Sequence, residues 1–321
     1  MSKFSLVLDS SQITTFLECP TQWYNQYYKR LVPTYYIQDR SAMNAGTYGH
    51  KLLDIYYKGK AKHFSMNDCI GMALAYDPDI DTCVCGCHKD QHRLIDLLQI
   101  DPCNRCKHCT NFRAHPFDLA KETRIAVQNR FREYCFFYQN NDFVPDSQEH
   151  VEVGFSEPIY EDNENLFALE GRIDLIGSLQ GLSCVADHKW QMQRHWIYPE
   201  SLQFKNYALV AKKTMFIINY IRLAKTMDKT TMVRQPVSFS ALKLLDWKQK
   251  LIKIFFQIKR AIETNNYEQR WSSCKGYGKC FDLAKPSFCP YTKLCEEPSE
   301  EVRVMKQNQL YEIKKEIWRP W

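Results

Sequence analysis

Residues 170–190 read EGRIDLIGSLQGLSCVADHKW, and this stretch decides the fold. Leu166 to Leu179 is rich in strand-forming residues, Gln180 and Gly181 supply a turn, and Leu182 to Trp190 reads as a second strand. The whole is a hairpin. Side chains two apart in a strand share a face, so Asp187 and Lys189 point the same way, and a twisted partner strand brings Asp174 beside them. Two carboxylates repel one another unless a cation lies between them. A divalent metal held by Asp174 and Asp187 is the simplest stable filling, which leaves Lys189 to orient or deprotonate a water, or to neutralise a developing oxyanion. A D…DxK pattern by itself is more often a surface hairpin with exposed ion pairs, so the neighbouring sequence has to decide.

Upstream, residues 44–57 read NAGTYGHKLLDIYY and carry His50 one turn into an amphipathic segment. Downstream, residues 199–211 read PESLQFKNYALVA and place Gln203 and Tyr207 at i and i+4, on one helix face. Near the amino terminus, residues 10–31 read SSQITTFLECPTQWYNQYYKRL, a helix-like run with a Cys-Pro step at Cys19 and Pro20. In this order along the chain, the motifs resemble the PD-(D/E)xK nuclease superfamily. Within it they resemble the RecB-like branch, which includes the AddB helicase-nuclease domain, CRISPR-associated spacer-acquisition nucleases and many phage exonucleases.

The resemblance implies a restriction-endonuclease-like α/β core and hydrolysis of a DNA phosphodiester, most simply by an exonuclease acting on ends or single strands. It implies Mg2+ or Mn2+ held by Asp174, Asp187, His50 and the backbone carbonyl of His188. Lys189 would then be the water-activating group, and Gln203 and Tyr207 would position Lys189 or the phosphate. Alternation turns the His188 side chain to the opposite face. Glu152 and Glu170 are candidates for extra acids, although exposed strand glutamates are commoner. The alternative function is a nuclease-fold nucleic-acid-binding subunit of a recombination, repair or CRISPR adaptation complex. No GxxxxGK[ST] phosphate loop is present, so any helicase or recombination partner must be a separate chain.

The 321 residues are 45% apolar and 25% charged, an ordinary globular composition. The net charge of +6 is spread along the chain, so charge alone does not demand nucleic acid. Some of the aromatic residues could stack on unpaired bases, but such rings are mostly core. No run of about 18 apolar residues exists, and the opening MSKFSLVLDSS lacks a signal-peptide pattern, so no membrane contact and a cytoplasmic setting, in a bacterium or a phage-infected cell, are expected.

Fourteen cysteines in a reducing compartment point to metal rather than disulfides. Cys69, Cys135 and Cys184 stand singly and read as small buried apolar residues. Residues 81–112 hold Cys83, Cys85, Cys87, Cys103, Cys106 and Cys109 with His88, His92 and His108, the paired spacing of a zinc knuckle or ribbon. A best set draws on Cys83, Cys85 and His92 from the first loop, with Cys103, Cys106 and Cys109 as the pool for the second. Such a site staples a loop that has no core of its own, or touches nucleic acid through Lys89, Arg93, Arg105 and Lys107. The tail adds Cys274, Cys280, Cys289 and Cys295, and four thiolates bind either zinc or a cubane iron–sulfur centre. Here the resemblance favours a [4Fe-4S] cluster, with Cys19 from the opening helix, Cys289 and Cys295 from the tail, and Cys274 or Cys280 as the fourth ligand. That cluster would clasp the two ends of the chain.

The coarse elements are helices near Ser10–Arg30, Ala45–Tyr57, Phe117–Tyr138, Pro199–Lys212 and Ser240–Asn265. Strands fall near Glu152–Tyr160, Phe167–Leu179, Leu182–Trp190, Met215–Leu223 and Thr231–Ser238. The last helix is capped by Ser240, and Leu242, Leu245, Ile252, Ile254 and Phe255 are expected to form its buried face. This is a mixed α/β chain with a small central sheet flanked by helices. It divides into an N-terminal helical part (1–80), a Cys/His zinc insertion (81–112), a catalytic core (113–270) and a Cys-rich tail (271–321).

Overall fold

The computed structural model describes residues 3–34, 41–76, 120–191, 201–223, 231–270 and 289–314. The zinc candidates Cys83, Cys85, His92, Cys103, Cys106 and Cys109 lie outside those residues, and so do Cys274 and Cys280.

The chain opens with strand β1 (Phe4–Leu8) and helix α1 (Ser10–Glu18), whose Asp9 cap accepts from the Gln12 amide at 2.8 Å. The sequence predicts one helix from Ser10 to Arg30, but Cys19 breaks it with extended backbone (φ −156°, ψ 104°). The cause is Pro20, whose ring disfavours helical geometry at the residue before it while suiting the first turn of α2 (Pro20–Trp23). A π-helical turn over Tyr24–Tyr28 follows, then β2 (Leu31–Pro33), α3 (Ser41–Ala61), α4 (Met66–Leu74) and α5 (Lys121–Phe137).

The strand β3 (Val144–Pro145), which the sequence reading did not include, comes next, and β4 (Val151–Glu161), β5 (Asn165–Leu179) and β6 (Leu182–Gln191) follow within a residue or two of expectation. Gln180 (φ 52°) and Gly181 (φ 78°) both take left-handed backbone between β5 and β6, the mirror-type turn whose twist matches that of the flanking strands. Helix α6 (Leu202–Ala211), β7 (Met215–Arg222), β8 (Met232–Ser238) and the long α7 (Ala241–Thr264) complete the core. The carboxy-terminal part adds α8 (Thr292–Cys295), α9 (Glu300–Leu310) and β9 (Tyr311–Ile313).

Among the described residues one mixed sheet runs in the order β1-β5-β6-β7-β8, with β3 and β4 also paired to β5. The sequence reading did not include β1, which pairs parallel to β5. Alternation sorts the two faces. Cys184 and Ala186 of β6, with Ile217 and Ile221 of β7, join Leu52, Tyr56 and Phe131 in a core against α3 and α5. Val185, Phe216 and Ile218 point the other way, toward Phe204 and Tyr207 of α6. Cys69, Cys135 and Cys184 are fully buried, as their apolar reading requires.

Helix α7 has its Ser240 cap, accepting from the Lys243 amide, but its buried face differs in part from expectation. Leu244, Leu251, Ile254, Phe255, Ile258 and Ala261 are buried, whereas Leu242 and Leu245 are exposed. Leu244, Leu251 and Ile258 repeat every seven residues, so two full turns return each to the same face, while Leu245 and Leu242 lie about 100° and 160° round the helix from it.

Candidate active site in the groove beside the sheet

The ladder between β5 and β6 ends at Leu175 opposite Ala186, so the next two residues across the hairpin, Asp174 and Asp187, stand where the strands part. Beyond that point β6 continues in parallel with β7, where Asp187 lies opposite Ile218 and His188 opposite Asn219. The amide of His188, released from β5, donates instead to Asp174 Oδ2 at 2.6 Å. Local splay therefore turns a ladder amide into a clamp on a carboxylate.

Asp187 and Lys189 share a face, with Lys189 Nζ 2.7 Å from Asp187 Oδ2. Gln203, on the first turn of α6, ties the set together: its Oε1 accepts from Lys189 Nζ at 3.3 Å. Its Nε2 lies 3.2 Å from Asp187 Oδ1 and 3.1 Å from the Tyr207 hydroxyl. From the opposite wall α3 delivers His50, whose Nδ1 is 3.4 Å from Asp174 Oδ2 and 3.7 Å from Glu152 Oε1. The His188 ring points away, into the core, where it stacks on Tyr57 at 5.6 Å and its Nδ1 meets the Asn219 amide at 2.7 Å.

The electrostatics follow from burial. Asp187, only 2% exposed, has its pKa pushed up to about 6 by burial, against the pull of Lys189. Burial likewise raises Asp174, with His50 opposing it and Glu152 adding to it. Burial would lower the pKa of His50, but Asp174 and Glu152 outweigh it and carry the pKa above the ordinary value. Burial would lower Lys189 too, yet Asp187 and Asp174 keep it raised and charged. His188 is held neutral by burial, reinforced by His50 and Arg234.

The expectation that strand glutamates are exposed does not hold here. Glu170 is buried, and Glu152 turns into the site from a left-handed backbone at φ 54°. One ligand atom each from His50, Glu152 and Asp174 can lie within 4.8 Å of the other two, close enough to share one cation. A nitrogen and two carboxylate oxygens at this spacing, with a third carboxylate on Asp187 beside them, suit a divalent metal. Arg172 Nε also braces Glu152 at 2.8 Å. Strict alternation offers no signal for Glu152, because its backbone departs from strand geometry at that one residue.

These groups line a groove of about 1070 Å³ that runs between α1, α3 and α6. A sequence model of the PD-(D/E)XK nuclease superfamily matches residues 10–296, which include the D…DxK hairpin, His50 and the Gln203–Tyr207 pair. The chain belongs to the PD-(D/E)XK nuclease superfamily. Its mixed sheet flanked by helices is the restriction-endonuclease-like fold of that superfamily, and a nuclease fold implies a nucleic-acid substrate. A solved structure of a candidate exonuclease from Eubacterium rectale is 12% identical with a TM-score of 0.41, over 87% of this chain and 90% of that one. The structure of SSO0001 is also 12% identical, with a TM-score of 0.31, over 55% of this chain and 71% of that one. No curated protein matches the chain.

The tail cysteines of the described region return to the opening helices. Cys289 Sγ is 3.9 Å from Gln22 Oε1 of α2, one turn beyond the buried Cys19. Cys295 borders a second cavity of about 320 Å³ with Thr21, Tyr24 and Asn25.

Proposed function

We propose that the chain is a metal-dependent deoxyribonuclease, an exonuclease acting on DNA ends or single strands. The observation that carries this is the convergence of Asp174, Asp187, Lys189 and His50, from three elements, on one groove within a nuclease-superfamily fold. Asp174, Asp187, His50 and the backbone carbonyl of His188 would hold Mg2+ or Mn2+, with Glu152 as a further carboxylate. When bound, such an ion polarises the scissile phosphate and makes a water more acidic.

The protein's own groups do the rest. Asp187 and Gln203 hold the Lys189 ammonium at one place in the groove, where it can neutralise charge developing on the phosphate or steady the attacking water. Tyr207 fixes the Gln203 amide, so that its oxygen faces Lys189 and its nitrogen faces Asp187. The amide of His188 holds Asp174 in place, and the buried His188 ring anchors that amide to the core through Asn219 and Tyr57.

A [4Fe-4S] cluster held by Cys19, Cys289, Cys295 and either Cys274 or Cys280 belongs to the same reading. Its support is the return of Cys289 to the opening helices beside Gln22. Zinc in the Cys83–Cys109 insertion, the RecB-like branch, a role in repair or recombination, a separate helicase or recombination partner and a cytoplasmic location complete the proposal. Among the described residues no helix is long and apolar enough to cross a membrane.

The deciding experiment incubates purified protein with end-labelled linear single- and double-stranded DNA in Mg2+, Mn2+ or EDTA, alongside Lys189→Ala. Metal-dependent shortening from the ends by the wild type, lost with EDTA and with Lys189→Ala, is expected. DNA binding without cleavage under any metal condition would favour the binding-subunit alternative.

A further inference from the structure

The groove is not evenly charged. Its α1 wall presents hydroxyls from Ser11, Thr14 and Thr15, and its floor is crowded with carboxylates. Two of its cations are committed within the floor, Lys189 to Asp187 and Arg172 to Glu152. On the α3 wall, however, Thr47, Lys51, Asp54 and Lys58 line the groove at successive spacings of four, three and four residues, with His50 beside Lys51. They form one stripe along the helix.

Within that stripe one buried carboxylate serves two lysines. Asp54 is 6% exposed, with Oδ2 3.2 Å from Lys51 Nζ and Oδ1 2.6 Å from Lys58 Nζ. The Lys51 ammonium also lies 5.6 Å from the centre of the Tyr76 ring. Both lysine side chains remain 36% exposed, and the trio keeps a net positive charge at the groove wall. The ammonium ends of these pairs are partly exposed although Asp54 is buried, and water screens what they add to stability. What this arrangement does provide is two ammonium groups held ready at fixed positions, so that little side-chain freedom is lost when an anion docks.

Resting on the nuclease reading above, we infer that the substrate strand lies along α3, with Lys51 and Lys58 holding two of its backbone phosphates. Lys51 adjoins the metal-ligand candidate His50 and takes a phosphate near the scissile one. Lys58 Nζ touches the other oxygen of the carboxylate that Lys51 touches, so the two ammonium groups are held close together on the one Asp54 side chain. A stacked strand advances about 3.4 Å per phosphate, so two ammonium groups this close match neighbouring phosphates of the strand. The contacts are to the backbone, so they set the path of the strand without reading its sequence.

The test measures binding of a fluorescent single-stranded oligonucleotide in EDTA, where no cleavage competes, over a series of salt concentrations, together with steady-state cleavage in Mg2+ or Mn2+. Removing both lysines alone would strand Asp54, so the main variant is Lys51→Gln/Asp54→Asn/Lys58→Gln, with Lys250→Gln on the far helix α7 as control. The slope of log affinity against log salt should become shallower by about 0.7 for each lysine removed, the single-strand value. KM should rise roughly ten-fold while kcat stays within about two-fold. The single variants Lys51→Gln and Lys58→Gln each leave Asp54 a partner, and each should show about half of the slope change. An unchanged salt slope in a triple variant that still folds, or in both singles, while the wild type cleaves DNA, would overturn the inference and leave the nuclease reading standing. A wild type that neither binds nor cleaves DNA in either metal would overturn both.

Discussion

At the scale of single residues, the chemistry rests on how Asp187 is compensated. Its carboxylate is buried against Lys189 and Gln203, and burial raises its pKa to about 6 from an ordinary 3.8. In the metal-free protein the folded state therefore holds this proton to higher pH than the unfolded chain does. The associated stabilisation is complete below about pH 3.8 and is lost as pH rises through about 6. Metal binding must displace the same proton, so Mg2+ or Mn2+ should raise the unfolding midpoint by a few degrees near pH 7.5 and by much less near pH 5. Thermal scans with and without metal at the two pH values measure this, and the metal effect should vanish in Asp174→Asn. A metal shift of equal size at both pH values would mean that Asp187 is not among the ligands. Lys189→Ala should lower cleavage by roughly 10²–10³-fold, the range for a lost group that neutralises developing charge, while the circular dichroism spectrum stays that of a folded α/β chain.

At the scale of elements, the site depends on how closely α3 approaches β6. Gly49 and the Trp190 indole are in direct contact, since a Cβ added at Gly49 would lie 2.3 Å from Trp190 Cε2. Gly49 precedes His50 and Trp190 follows Lys189, so this contact sets the separation of the two site-bearing elements. Gly49→Ala should push α3 outward at an overpacking cost of about 1–3 kcal/mol and weaken metal binding and cleavage together. Gly49→Ala/Trp190→Leu removes the clashing ring and should recover much of the metal affinity, as read by calorimetric titration. If Gly49→Ala binds metal like the wild type, the contact is not what positions His50.

At the scale of the whole molecule, the two ends of the chain meet. Strand β2 pairs antiparallel with β9, and the Tyr291 hydroxyl donates to the Leu31 carbonyl at 2.7 Å. Leu31, Tyr291, Leu294 and Tyr311 are buried together beside Cys289. The proposed cluster would thus reinforce an existing junction rather than create it. Anaerobically prepared protein should be brown, and Cys19→Ser, Cys289→Ser and Cys295→Ser should each lose iron and lower the unfolding midpoint together. Cys135→Ala, far from the tail cysteines in the α3–α5 core, should keep its iron whatever its midpoint. Full iron content in Cys19→Ser would show that the opening helix is held by strand pairing and packing alone.

What the sequence determined by itself is whatever local periodicity encodes. The β5–β6 hairpin, the shared face of Asp187 and Lys189, the inward turn of His188 and the Gln203–Tyr207 pair all follow from repeats of 2 and 3.6 residues and from one turn dipeptide. Tertiary structure alone decided the parts that depend on distant segments meeting. Strand β1 carries little pattern of its own and exists because β5 offers it an edge. Leu242 and Leu245 look as apolar as Leu244, and only the direction from which the sheet approaches leaves them in solvent. Glu152 reaches the site through a single left-handed residue, and Lys51 and Lys58, which helix spacing alone sets beside Asp54, share it as a buried carboxylate only in the assembled chain. Burial is a property of the assembled chain, and it is burial that raises Asp187 and makes a lone carboxylate seek two cations.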